Sequence, residues 1–401
     1  MWLGDVSEVG TCHSRVHTTS LSFTYTDPKR FAFTQLSEEL PNYPVKDLGH
    51  LRTVGSIEVR NAVEATGSDI QVELEIRSSD ARLTMDVGVE KDGSNLRVKT
   101  PKGMREGILS DTADYTPCLN ISAVIWIPLK TKLENLDINS EKLDVVFHPG
   151  LDYAESRVVE TKTKFDLRST YSRETTIDVD SASVIGSYPL YDLLSVHSNS
   201  GSIHIRIDPK NASTANVKPA VLRVTSNSGS IVASCSTAAV PDRDYQTTMS
   251  ISSGAIDAVI LHGLRTSLRS ISGQITANLY PYGHNDSRTD IEVHDTSGSI
   301  DIALHSSLSH PTAPLKKLYA YYGGSSGSLT LFYPAQWQGT VEGTTSSGSI
   351  DLDWQGLKVV KDRKERWVKR TIEAIRGEGE GKLVFYETSG SVKLGGESGG
   401  L

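Results

Sequence analysis

The 401-residue sequence predicts an all-β fold whose second half is a parallel β-helix, or β-solenoid. First, a Ser-Gly pair recurs eight times between residues 200 and 390. Second, apolar residues occupy alternate positions on both sides of each pair, as in strands with one buried face. Third, six of the seven spacings between successive repeat glycines lie between 19 and 29 residues, which suits one coil of such a solenoid.

Each repeat predicts a strand, a corner and a second strand. Glycine suits the corner because it adopts positive φ without a Cβ clash, and the preceding serine can bond nearby backbone groups. The residues two, four and six positions after the glycine are apolar and predict the core, except in the last copy, which has Gly396 at the sixth position. The repeat glycines are Gly201, Gly229, Gly254, Gly273, Gly298, Gly327, Gly348 and Gly390.

Two other β architectures compete with the solenoid. A two-residue hairpin would need a similar corner, so an antiparallel sandwich or mixed β fold is the second interpretation. Tight hairpins favour Asn-Gly or Asp-Gly at the tip, and propeller blades need about 40 residues or more. Both preferences favour the solenoid.

The sequence divides into four regions. Residues 1–50 lack strong periodicity and predict an N-terminal arm. Residues 51–190 are β-rich, contain a degenerate repeat at Gly55, and predict irregular first coils or a cap, with a separate β domain as the alternative. The repeat solenoid covers 191–394, and the Gly-rich residues 395–401 predict a flexible tail.

The 42-residue gap between Gly348 and Gly390 holds an insertion. Its segment 361–370 carries six basic and two acidic residues around Trp367. A charge run of this kind predicts a solvated loop, with a loop that binds an anionic surface or a partner as the alternative.

Composition excludes several classes of protein. The net charge is −8 with no basic half, which argues against nucleic acid as a partner. No segment approaches the ~20 apolar residues of a membrane span, and the first residues lack the pattern of an export signal. Cys12, Cys118 and Cys235 are too few for a disulfide framework or a metal knuckle, although a Cys118–Cys235 disulfide is conceivable. Cys235 occupies an inward repeat position.

Carboxylates and histidines at repeat positions predict no active site. Asp257, Asp301 and Asp351 each follow a repeat glycine by three residues, but not in consecutive copies, so they do not form the carboxylate pair of a glycosidase. His197 and His294 share a repeat position in distant copies, and His204 follows a corner, so we expect no metal site.

One serine motif also has a structural explanation. Residues 323–327 match Gly-x-Ser-x-Gly, but a nucleophile elbow lies between a strand and a helix, whereas strand patterns flank this one. The sequence therefore predicts no catalytic residue, no cofactor-binding residue and no cofactor. Asn120, Asn211 and Asn285 begin glycosylation sequons, which matter only if the protein is exported.

The repeats resemble a known family. The unit His294-Asp295-Thr296-Ser297-Gly298-Ser299-Ile300-Asp301-Ile302 is similar to the Ser-Gly-Ser-Ile repeats of the putative-adhesin domain of unknown function found in bacteria and fungi. The resemblance covers about 191–394 and extends weakly to Gly55. It implies a right-handed β-helix and an envelope or cell-surface setting, with no established catalytic residues.

Three functional hypotheses follow. The first is a non-enzymatic, adhesin-like solenoid that contacts a surface glycan or protein at several coils. The second is a carbohydrate-active β-helix enzyme, a polysaccharide lyase or hydrolase, which would bring two or more carboxylates and an Arg or Lys together in one concave groove. The third is an intracellular scaffold that polymerises through exposed coil ends.

Overall fold

The computed structural model describes residues 17–39, 51–62, 68–103, 117–128, 131, 133–148, 172–212, 218–283, 287–365 and 369–396. In these ranges the chain forms two large sheets of mostly parallel strands and one five-residue helix, which confirms the predicted all-β class. The chain divides into two compact units, Met1–Ser187 and Tyr188–Leu401, called unit 1 and unit 2.

The strands of unit 1 are four to eleven residues long, and most of them have one buried face. Its elements are β1 (His17–Tyr25), β2 (Arg30–Glu38), β3 (Arg52–Ala62), β4 (Ile70–Ser78), α1 (Ala81–Met85), β5 (Gly88–Asp92), β6 (Asn95–Pro101), β7 (Cys118–Pro128), β8 (Asn135–Ser140), β9 (Asp144–Phe147), β10 (Glu174–Val179) and the start of β11 (Val184–Leu190). One sheet has the order β1-β4-β7-β3-β9-β11 and the other β10-β8-β2-β6-β5.

The first described residues of unit 1 belong to its sheets. β1 and β2 come from the segment that the sequence predicts as an arm; β1 pairs antiparallel with β4, and β2 pairs parallel with β6 and β8. Phe31 and Phe33 are buried at alternate positions of β2. Gly55 lies inside the continuous strand β3 rather than between two strands, so this weak copy of the repeat does not change sheets.

Unit 2 contains the eight repeats. Its strands after β11 are β12 (Leu193–Ser198), β13 (Ile203–Pro209), β14 (Ala220–Ser228), β15 (Ile231–Cys235), β16 (Tyr245–Ser253), β17 (Ile256–His262), β18 (Arg265–Ser272), β19 (Ile275–Pro281), β20 (Thr289–Ser297), β21 (Ile300–Leu304), β22 (Leu318–Ser326), β23 (Leu329–Tyr333), β24 (Gly339–Ser347), β25 (Ile350–Asp353), β26 (Lys358–Glu365), β27 (Lys369–Arg376), β28 (Gly381–Ser389) and β29 (Val392–Gly396).

Consecutive repeat strands of unit 2 alternate between two sheets. Sheet I, the name used below, has the order β12-β14-β16-β18-β20-β22-β28-β24-β27-β26, and sheet II has the order β13-β15-β17-β19-β21-β23-β29-β25. From β12 to β23 every second strand pairs in parallel, as β14 does with β16 and β15 with β17. An antiparallel sandwich, the second interpretation of the sequence, therefore does not describe these repeats.

The Ser-Gly pairs lie where the chain leaves sheet I for sheet II. Gly254 shows why glycine is needed: its φ is +128°, and a Cβ there would lie 1.6 Å from the carbonyl oxygen of Gly229. Its amide in turn donates to the Ser272 carbonyl of the next unit at 2.9 Å. The corner glycines of the other adjacent repeats come similarly close to one another, so all of them stack in a continuous row.

The core of unit 2 follows the predicted alternation. Ile203, Ile205 and Ile207 are buried after the first corner, and the equivalent residues of the later units are buried too, except that Leu352 and Gly396 are only partly covered. Cys235 is one of these core residues and has a free thiol, whereas Cys118 is disulfide-bonded. The Cys118–Cys235 disulfide considered above is therefore not formed.

The charged insertion differs from its prediction as a loop. Residues 358–365 and 369–376 form the antiparallel hairpin β26–β27, and β27 pairs antiparallel with β24. Lys361 pairs with Glu373 and Arg370 with Asp362, both across the hairpin. The strands form because the charges face solvent while Ile372 and Ala374 on the other side of β27 are buried. Trp367 lies outside the described residues.

Candidate ligand-binding face

The acidic repeat positions lie on sheet II and do not converge. In its register the order across neighbouring strands is Asp257, Thr276, Asp301, Thr330, Lys393 and Asp351. At least one other side chain therefore separates each pair of these aspartates. Within the described ranges, no group of three or more His, Cys, Asp or Glu residues could hold a metal ion.

The histidines and the serine motif occupy structural positions. His197 Nδ1 lies 2.7 Å from Thr225 Oγ1, and three strands separate β12 from the strand that carries His294. His204 is exposed on β13. Gly323–Gly327 closes β22 and forms its corner, between two strands as expected.

An open depression of about 480 Å³ lies on the outer side of sheet I. One register row contributes Arg265, Asp290, Tyr319 and Lys382 from β18, β20, β22 and β28. The next outward row contributes Glu292, Tyr321 and Val384. We call the charged and aromatic members of this surface the tyrosine face: Arg265, Arg288, Asp290, Glu292, Tyr319, Tyr321 and Lys382.

Ion pairs hold the charged side chains of the tyrosine face. Glu292 accepts from Arg265 at 3.0 Å and from Arg269 at 2.5 Å. Burial raises the pKa of the Glu292 carboxyl, but the hydrogen bonds and charges of these two arginines outweigh burial, so its pKa is lowered. Glu292 is therefore a carboxylate at neutral pH and holds no proton to give to a substrate.

The aromatic rings supply flat apolar surface between these charges. Arg288 bonds Asp290 at 2.8 Å while its guanidinium lies 4.1 Å from the ring centre of Tyr319. Tyr321 is 44 % exposed. Rings bordered by hydrogen-bonding guanidinium and carboxylate groups can stack on the C–H face of a sugar while the charged groups bond its hydroxyls.

Sequence reasoning missed the tyrosine face because it followed the inward positions of the repeat. The outward residues eight and six positions before each corner differ from copy to copy: Arg265 and Ser267, then Asp290 and Glu292, then Tyr319 and Tyr321. Aligning these outward positions in columns would have placed the charges beside the tyrosines. The two tyrosines at outward positions of one copy were the available signal.

Two buried carboxyls lie on the inner side of sheet I, just before the corners. Asp295 and Glu387 are 1 % and 2 % exposed, and their strands flank β22 at Gly324. A Cβ on Gly324 would lie 2.0 Å from Glu387 Oε2, so glycine leaves room for this side chain. Burial raises the pKa of both carboxyls and outweighs the hydrogen bonds that would lower it. The charge of Asp295 raises the pKa of Glu387 further.

We expect Glu387→Gln to raise the thermal unfolding midpoint at neutral pH. The ordinary pKa of this carboxyl is 4.5, and the folded chain holds the proton to higher pH. Its contribution to folding is thus complete below the unfolded pKa and is lost as pH rises through the folded value. The variant should therefore lose less stability than the wild type between acidic and neutral pH in a series of thermal melts.

Glu292→Gln is the matched control for this pH series. The lowered pKa of Glu292 means that its contribution exists at neutral pH and is lost as pH falls through the folded value, so this variant should lower the midpoint at neutral pH. A lower neutral-pH midpoint in Glu387→Gln would contradict the unfavourable burial of that charge.

Comparisons with known proteins find similar solved structures at low sequence identity. No known family profile and no curated protein sequence matches it. Among solved structures it is similar to a "putative adhesin" of Parabacteroides distasonis (10% identity, 96% of this chain, 98% of that chain, TM-score 0.36). A "putative adhesin" of Parabacteroides merdae gives 10% identity, 95% and 97% coverage and a TM-score of 0.36.

A third similar solved structure is described as a different kind of protein. It is a "putative lipid binding protein" of Parabacteroides distasonis, at 11% identity, with 94% of this chain and 96% of that chain covered and a TM-score of 0.32. Likenesses at these TM-scores carry no weight for function. The residues of unit 2 therefore provide the evidence for function.

Proposed function

We propose that unit 2 is a right-handed parallel β-helix that serves as a non-enzymatic, adhesin-like interaction module and binds a glycan on its tyrosine face. The solenoid is supported by the parallel pairing of every second strand from β12 to β23 and by the regular passage between two sheets at Ser-Gly. The right hand follows from the strong preference of parallel strand connections.

One observation carries the binding function: Tyr319 and Tyr321 form an aromatic surface bordered by paired charges in an open depression. Arg265, Arg288 and Lys382 supply donors, and Asp290 and Glu292 supply acceptors. These donors and acceptors are nearly balanced in charge, which fits a ligand with many hydroxyl groups better than a strongly charged one. An extended glycan meets both requirements.

A carbohydrate-active enzyme is the second candidate, because two carboxylates do meet basic residues in this depression. Glycoside hydrolysis needs one carboxyl that keeps its proton. Glu292 is held ionised by Arg265 and Arg269, and Asp290 is bonded by Arg288. Among the described residues of unit 2, the carboxyls with raised pKa values are Asp295 and Glu387, and both are buried on the inner side of sheet I. These facts favour binding over turnover.

Display at a cell surface is part of the proposal. Cys118 is disulfide-bonded, and disulfides persist mainly in oxidising compartments. Of the glycosylation positions, Asn211 is exposed, Asn120 is half-buried within β7, and Asn285 lies outside the described residues. No helix in the described part of the chain is long and apolar enough to cross a membrane.

We expect Tyr321→Ala to weaken glycan binding by about tenfold or more, ~1.4 kcal/mol, because it removes the exposed ring on which the sugar stacks. The measurement is binding to an array of neutral and acidic polysaccharides, followed by titration of the one bound best. Tyr280→Ala is the matched control, since Tyr280 belongs to β19 of sheet II and stacks on His305. Equal losses in both variants, or no bound polysaccharide, would contradict the proposal.

A further inference from the structure

The last repeat unit of the sequence lies between two units that precede it. In sheet I, β28 pairs in parallel with β22 on one side and with β24 on the other. In sheet II, β29 lies in the same way between β23 and β25. The unit β28–β29 is thus inserted into a slot, defined here as the space between unit β22–β23 and unit β24–β25.

Backbone hydrogen bonds close both sides of the slot. On one side, the amides of Gly327 and Leu329 donate to the carbonyls of Ser389 and Ser391 at 3.0 and 2.9 Å. On the other side, Gly390 and Val392 donate to the carbonyls of Ser347 and Ser349 at 2.9 and 2.8 Å. Without β28–β29 the slot would expose unpaired backbone groups on two facing strands of each sheet, which is a strong template for another strand.

Side chains fit the inserted unit to the slot. The ring of Phe385 covers Gly343 of β24, where a Cβ would lie 2.0 Å from it. Glu387 covers Gly324 of β22, and Trp354 beyond β25 covers Gly396 of β29. These glycines are not corner residues, and each leaves space for a large side chain of the adjacent repeat.

The segment that leads into the slot is short and hinge-like. After β27 ends at Arg376, residues 377–380 carry the chain past the end of β24 to its other side. Two of these four residues are glycines, and Gly377 has a φ of +64°. A different backbone path through this segment would send β28–β29 away from its own slot.

The outer edge of β24 does not offer the same opportunity. β27 already pairs with it across seven residues, and Arg370 donates to the carbonyl of Ile350 on β25 at 2.8 Å. The outer edge of β24 is therefore already occupied by β27, whereas a second copy of β28–β29 makes every contact of the first one.

We propose that the slot is an interaction site for a second copy of this chain, which inserts its own β28–β29 unit and forms strand-exchanged dimers or longer assemblies. Exchange conserves all contacts except those at the hinge. High protein concentration therefore favours the exchanged form, and the opening of the slot limits the rate of exchange. Linking copies in this way multiplies the glycan-binding faces, but the exchange does not depend on the glycan proposal.

The test uses two full-length variants that can form a disulfide only by exchange. Tyr321 of β22 and Val384 of β28 are register partners on the outer side of sheet I, at about the 4.8 Å strand spacing that a disulfide can bridge. Chains with Tyr321→Cys are mixed with chains with Val384→Cys at increasing concentration just below the unfolding midpoint, and then mildly oxidised. We expect a covalent heterodimer whose yield rises with concentration, identified by peptide mass.

Two controls make the result decisive. Glu292 is the partner of Tyr321 on β20, so a mixture of Tyr321→Cys and Glu292→Cys chains should give no specific heterodimer, because neither strand exchanges. A single chain with both Tyr321→Cys and Val384→Cys should close its disulfide internally. Internal closure with no heterodimer above the Glu292 control would overturn exchange, and failure of internal closure would overturn the inserted position of β28.

Discussion

Gly254→Ala is expected to destabilise the protein by more than about 4 kcal/mol, because two effects add at the corner. The φ of +128° is unfavourable for any residue with a Cβ, and the new methyl group would lie 1.6 Å from the Gly229 carbonyl oxygen. Adjacent repeats stack through this contact, so neither backbone segment can move away without breaking neighbouring hydrogen bonds. Urea unfolding followed by circular dichroism measures the loss.

Gly283→Ala separates the two effects. Gly283 has a similar φ of +113°, but a Cβ there meets nothing within 4 Å. This control should lose only the backbone term, about 1–3 kcal/mol. Equal losses in the two variants would show that the close stacking of the corner glycines adds nothing to the need for glycine.

Phe385→Ala should cost about 3–5 kcal/mol, the usual range for a buried phenylalanine. The side chain is 1 % exposed and is the largest one that the inserted unit contributes to the core. Its removal also leaves space above Gly343, so the slot is no longer filled. The same urea titration measures this change, and we expect the variant to expose β28 to hydrogen exchange before the rest of sheet I.

A double-mutant cycle checks the cause. Gly343→Ala alone should destabilise, because its methyl group would collide with the Phe385 ring at 2.0 Å. In the Phe385→Ala background the same methyl group enters free space, so most of that cost should disappear. Additive effects would mean that the ring and the glycine do not determine each other.

The repeat predicted the corners and the core well, because burial acts on each copy in the same way. Ile203, Ile256 and Ile300 are buried where the alternation places them, and the strands on either side of the corner belong to different sheets. Parallel stacking also follows from spacing, since 19 to 29 residues suffice for two strands and their connections.

The order of the units was not predictable from the repeat. All copies of the repeat have the same inward pattern. The local sequence therefore does not indicate that the repeat with its corner at Gly390 lies beside the corner at Gly327 and not beyond the one at Gly348. The 42-residue spacing indicated an insertion, but its strands carry a charge run that resembles a loop. The order depends on long-range fits such as Phe385 over Gly343, which appear only when the units are side by side.

The candidate site was hidden for a related reason. Outward residues are not constrained by the core, so they vary among copies and show no repeat. Arg265, Glu292 and Tyr321 come together only through the register of β18, β20 and β22. The sequence indicated that Asp257, Asp301 and Asp351 do not lie on adjacent strands, but it could not show which outward side chains are neighbours.

We propose that the tyrosine face binds a glycan without cleaving it. The most direct test incubates the wild-type protein with the polysaccharide it binds best and follows both the bound fraction and the release of new chain ends. We expect saturable binding that Tyr321→Ala weakens, with no new chain ends above a protein-free control. Chain ends that accumulate with the wild type and disappear with Glu292→Gln would contradict it and establish an enzyme.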